Sequence, residues 1–166
     1  MWPILTETMR RHVAIYLRLA LAAGFLTSVS DRFGLWGPSG TANVAWGSFR
    51  QFAAYTGQLN PWAPAVLIPP LAWFVTVAEI VFGIALLLGL RTRDVALASG
   101  VLLGLFALGL TVGTGLKSAL NYSVFAASAG ALALGMEHSY RWSLDALLAS
   151  RARGEGEAFG RKKTAA

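Results

Sequence analysis

Long apolar runs separated by short polar stretches set the plan of this chain. Four runs reach the roughly 20 residues that a ~30 Å hydrocarbon layer requires of a helix: residues 13–30, 70–90, 95–115 and 119–136. Pro69-Pro70 opens the second run, where proline loses no donor that a helix needs. In the long segment between the first two runs, residues 41–59 place Val44, Ala45, Phe49, Phe52 and Tyr55 near one helical face. Trp36, Trp46 and Trp62 add rings that favour the headgroup region. The spacing predicts an amphipathic helix lying on the membrane surface. After the fourth run, Trp142, Leu144, Leu147 and Leu148 are spaced for a short amphipathic turn on the opposite surface.

The expected fold is therefore an all-α membrane protein, a four-transmembrane-helix bundle with an amphipathic interfacial helix in its first outside loop. It occupies residues 1–150, with a basic, disordered tail at 151–166. Small residues predict the helix seams: Gly100-x-x-x-Gly104, Gly109-x-x-x-Gly113, Ala20-x-x-x-Gly24, and Ser123, Ala127, Gly130 and Ala131. These are expected to join helices of one chain, and the oligomeric state stays open.

Composition sharpens this picture. Charged residues make up 13% of the 166, and mean hydropathy is +0.56, whereas a soluble domain carries roughly 25% charge. The net charge of +6 does not point to nucleic acid, because no basic stripe interleaves with aromatics as strand-binding surfaces need. It follows instead from loops on one side of the membrane: ten Lys and Arg residues fall there and three on the other. Cytoplasmic loops carry that excess, so both termini are expected inside the cell (inner) membrane. Arg10-Arg11 and Ser28-Val29-Ser30 resemble the ends of a signal peptide; Arg18 interrupts the apolar core such a peptide needs, so the first run is read as a retained span. There is no cysteine, which excludes dithiol exchange, thiolate metal sites and iron–sulfur ligation by this chain. No metal-binding or phosphate-binding motif occurs, and His12 and His138 fall at helix rims rather than facing each other as haem ligands.

The candidate chemistry is concentrated in two ionisable residues inside apolar runs, Arg18 and Glu79, because charge at such depth persists where it pairs, lines a cavity or handles charge. Glu79 lies near the middle of the second run, and Ala72, Thr76, Gly83 and Leu86 share its face. Two placements stay open for Arg18: pairing with Glu79, or snorkelling to the nearer interface. Asn121 and Tyr122, with Asp31, Arg32 and Asn60 at the same level, suggest a polar outer mouth.

The order and spacing of several segments resemble the DoxX/DoxD family of integral membrane proteins, which includes the membrane subunit of archaeal thiosulfate:quinone oxidoreductase. The segments are Tyr16-Leu17-Arg18-Leu19, Asp31-Arg32-Phe33-Gly34, Phe52-Ala53-Ala54-Tyr55-Thr56, Leu59-Asn60-Pro61, Ala78-Glu79 with Gly83 and the residues from Leu86 to Arg91, Asn121-Tyr122-Ser123, and Ser143-Leu144-Asp145. The resemblance implies a membrane subunit of a redox-linked complex with a soluble redox partner and quinone as a candidate ligand. No covalent cofactor and no metal is expected. On that reading Glu79 is the candidate catalytic residue, exchanging a proton as quinone is reduced; Arg18, Thr76, Asn121 and Tyr122 are the candidate ligand-binding residues. A non-enzymatic membrane scaffold is the second reading, with a buried ion pair specifying the arrangement. A small-molecule permease is the third.

Overall fold

Nothing from Trp2 to Arg32 breaks a helix except Pro3, which sits in the first turn where proline is harmless. The computed structural model, which describes residues 2–137, 140, 142–148 and 150, accordingly has one continuous helix there, α1 (Trp2–Arg32). It runs past the expected end of the first span because the stop is not the polar pair Asp31-Arg32. The stop is the turn that follows, where Gly34 has φ +74°. The expected tail at 151–166 and His138 lie outside the described residues.

The interfacial helix is shorter than expected. Residues 41–48 form turns, with Asn43 and Gly47 both left-handed at φ +65°, a conformation that cannot continue a right-handed helix. Helix α2 (Phe49–Leu59) starts after Ser48, whose hydroxyl accepts from the Gln51 amide at 3.4 Å, an N-cap. It buries Phe52 and Thr56 and packs on the neighbouring long helices, so it caps the bundle rather than merely floating beside it.

A single 3₁₀ turn (Ala65–Leu67) leads into α3 (Ile68–Leu88), whose first turn carries both prolines. Gly89, left-handed at φ +68°, closes it. Helix α4 (Thr92–Thr114) follows. The run expected as the fourth span is in two pieces, α5 (Leu116–Asn121) and α6 (Val124–Gly135), separated at Ser123 with φ +54°. Hydrophobicity alone does not reveal this break. Asn and Ser are among the residue types that favour turns over helix interiors, but no glycine or proline marks the place. Among the described residues, the protein is all-helical, 77% helix without strands. Three helices are long and apolar enough to cross a membrane, with α6 as a shorter apolar fourth.

Helix α1 packs on α3, and α4 on α6. The seams at Gly100-x-x-x-Gly104 and Gly130 join helices of this chain, as expected. A methyl group added to Gly83 would meet Leu26 at 2.9 Å, and one on Gly100 would meet Leu132 at 2.6 Å. Ser128 strengthens the second seam by donating to the Gly100 carbonyl at 2.7 Å. Two expected seams differ. Gly113 abuts Leu59 of the cap rather than another span, and Gly24 faces open space. The contrast is testable. Gly100→Val is expected to destabilise the bundle by about 1–3 kcal/mol through overpacking, while Gly24→Ala is expected to be neutral or to stabilise by up to about 1 kcal/mol. Thermal unfolding of both variants in mild detergent measures this.

Candidate functional site

One stripe of α1 turns inward. Ala14, Arg18, Ala22, Phe25, Val29 and Arg32 are all buried, spaced three or four residues apart, the signature of one helical face. Two arginines lie on that stripe, about 21 Å apart along the axis at 1.5 Å per residue. They do different things.

Arg32 meets Glu79. Its Nη2 lies 2.5 Å from Glu79 Oε2, and the two side chains are 2% and 3% exposed. Arg32 Nη1 donates to the Thr76 hydroxyl at 2.9 Å, and that hydroxyl donates to the Ala72 carbonyl at 2.8 Å. Above the guanidinium lie two rings of the cap, Phe52 at 3.6 Å and Trp46 at 5.3 Å from ring centre to guanidinium carbon, a cation–π arrangement. Next door, Asp31 Oδ2 accepts from the amides of Ala45 and Trp46, both at 3.0 Å. The last turn of α1 thus fastens the loop that carries Trp46. Phe33, Phe49 and Trp73 close the lipid-facing edge, with the rings of Phe49 and Trp73 4.2 Å apart.

Residues predicted from sequence divide accordingly. Glu79 and Thr76 come together, and Ala72, Gly83 and Leu86 are buried along the same face of α3 as expected. Arg18 does not pair with Glu79. Helices α1 and α3 run antiparallel, which sets Arg18 beside Gly89, where it donates to the Trp142 carbonyl at 2.6 Å. It points toward the nearer end of the bundle but does not snorkel to water either: it is 4% exposed, held against that carbonyl. Asn121 is exposed and Tyr122 is 70% exposed at the end of α5, away from the buried pair. Burial raises the Tyr55 hydroxyl pKa, and Tyr122 nearby adds to that; these two tyrosines, not Glu79, are neighbours.

Arg32 was the partner to find. Following the buried stripe one turn beyond the apolar run would have placed it on the face of Arg18 and Phe25. Chemically, the centre offers a carboxylate paired through Oε2 with Arg32, and two further buried polar atoms, Arg32 Nε and Asp31 Oδ1, lack a hydrogen-bond partner. No group of three His, Cys, Asp or Glu suited to a metal exists among the described residues. His12 is bonded to the Thr8 carbonyl at 2.9 Å.

Residues 10–122 match the model of the family described as methylamine utilisation protein MauE. The chain belongs to the MauE family. The MauE match takes in α1 from Arg10, the cap, α3, α4 and α5, and so contains every residue of the Arg32–Glu79 centre. It identifies a membrane-protein family and, with the three long apolar helices, places the protein in a membrane. It does not extend to the DoxX/DoxD resemblance of the sequence motifs. Neither a curated protein nor a solved structure matches.

Proposed function

We propose that this MauE-family chain is an integral membrane subunit of a redox-linked complex, working in the process its family is named for, methylamine utilisation. In this reading the chain crosses the cell membrane four times with both termini cytoplasmic, and a soluble partner supplies the redox centre. A chain without cysteine brings no thiol of its own. One observation carries the reading: the Arg32–Glu79 pair joins the end of α1, the middle of α3 and the cap at one buried point. A buried ion pair is a weak source of stability but can specify a single arrangement. Here the arrangement specified is the pose of the outer cap, the surface offered to a partner.

The test uses compensation. Deleting the chain is expected to abolish methylamine-dependent oxygen uptake by cells, and the wild-type chain restores it. Arg32→Leu is expected to fail, whereas Arg32→Leu with Glu79→Leu is expected to restore uptake, because the two matched apolar side chains refill the centre. A folded double variant that fails would mean that the carboxylate itself is used.

That outcome favours a second reading, supported by two unpartnered buried atoms, Arg32 Nε and Asp31 Oδ1: a quinone headgroup bound at the centre, with Glu79 exchanging its proton. Mass spectrometry of small molecules extracted from the purified protein tests it. Near-stoichiometric quinone on wild type and little on Glu79→Gln supports this reading; equal traces on both overturn it.

A further inference from the structure

Apolar side chains are exposed at the α3–α4 end of the bundle as well as along its sides. Trp142 is 84% exposed and Leu147 60%; with Leu88 and Leu144 they line a shallow groove of about 410 Å³. Leu88 belongs equally to the outward side of α3, where Trp73, Val77, Val81 and Ile84 are exposed. The groove therefore continues the surface that acyl chains cover.

The turn beside the groove, joined to it by the Asp145 bond to the Arg91 amide, is cationic. Arg91 and Arg93 are exposed and form no ion pair among the described residues. Three acidic residues are near, of which Glu137 is paired with Arg10 at 3.0 Å. Asp145, between groove residues Leu144 and Ala146, has its carboxylate turned into the fold: Oδ1 accepts from the Arg91 amide, and Oδ2 from the amide and hydroxyl of Thr92, each at 2.8 Å. Asp94, in the first turn of α4, faces solvent. The Asp145 bonds hold the groove wall against the backbone of the arginine turn, so the two arginines are anchored next to the apolar trough. Trp142 lines the same groove, a ring suited to headgroup depth.

We infer that this groove binds an anionic phospholipid, with an acyl chain along Leu88, Leu144 and Leu147 and the phosphate at Arg91 and Arg93. A zwitterionic lipid satisfies the trough but brings no net charge to the arginines. A basic residue near a membrane surface contributes about 1 kcal/mol toward anionic lipid, roughly a fivefold preference.

Native mass spectrometry of the full chain, released from nanodiscs of equal parts phosphatidylglycerol and phosphatidylcholine, tests the inference. Wild type is expected to retain phosphatidylglycerol preferentially. Arg91→Gln and Arg93→Gln are each expected to lower the preference about fivefold, and the double variant about 25-fold. Both side chains are exposed and outside the Asp145 bonds, so the fold survives, which circular dichroism checks. Arg50→Gln with Lys117→Gln, remote from the groove, is expected to leave the preference unchanged. Retention in proportion to supply by wild type, an undiminished preference in the double variant, or an equal loss in the remote variant would each overturn the inference.

Discussion

Arg32→Leu is expected to destabilise the protein by about 3–5 kcal/mol, because removing one member of a buried pair strands the other charge. Glu79 is 2% exposed and has no other cation beside it among the described residues. Adding Glu79→Leu is expected to recover most of that loss, since apolar replacements for both partners of a buried pair are often neutral or better. The decisive quantity is the coupling between the two positions, read from a double-mutant cycle of unfolding free energies in detergent. Arg18→Leu combined with Glu79→Leu is expected to show no coupling beyond about 0.5 kcal/mol, because Arg18 meets the Trp142 carbonyl instead. Strong coupling of Glu79 to Arg18, and none to Arg32, would contradict the geometry of the centre.

Asp145→Ala is expected to release the segment that closes the other end. The side chain accepts three hydrogen bonds at 2.8 Å from Arg91 and Thr92, and the Asp145 amide donates to the Gly89 carbonyl at 3.0 Å. Bonds to a charged acceptor contribute about 1.5–3 kcal/mol each and overlap when they share one group. A local loss of about 2–3 kcal/mol therefore follows, which speeds hydrogen exchange at the Arg91 and Thr92 amides by roughly 30- to 150-fold. Amides in the middle of α3 are expected to change little. Unaltered exchange at Arg91 and Thr92 would show that the segment is held by other contacts.

How much of this was legible in the sequence depended on what each residue had to announce it. The face of α3 was readable in advance, because Ala72, Thr76, Glu79, Gly83 and Leu86 recur at helical spacing and all prove buried. The choice of partner was not. Apolar runs mark the hydrocarbon layer, whereas helix ends are set by turns; α1 outlasts its apolar run and brings Arg32 to the centre. Which arginine meets Glu79 depends on the antiparallel register of α1 and α3, which Leu26 against Gly83 and Arg18 against Gly89 define. Single-chain periodicity contains no such register. The break at Ser123 lacked a glycine or proline to signal it. The clasp at Asp145 joins residues more than fifty positions apart, and its motif, Ser143-Leu144-Asp145, was visible only as part of a resemblance.

Chain order gives the Arg32–Glu79 pair a history. Arg32 leaves the ribosome 47 residues before Glu79, an interval of about 2–9 seconds at ordinary synthesis rates. During that interval α1 holds an arginine without its carboxylate. The arginine is the last residue of the helix, where a long side chain can still reach water. Glu79, the member set in the middle of its helix, arrives second and inserts beside a counter-charge already waiting. The reverse order would ask an unpaired carboxylate to wait at mid-depth, so the sequence of synthesis spares the membrane the more costly of the two intermediates.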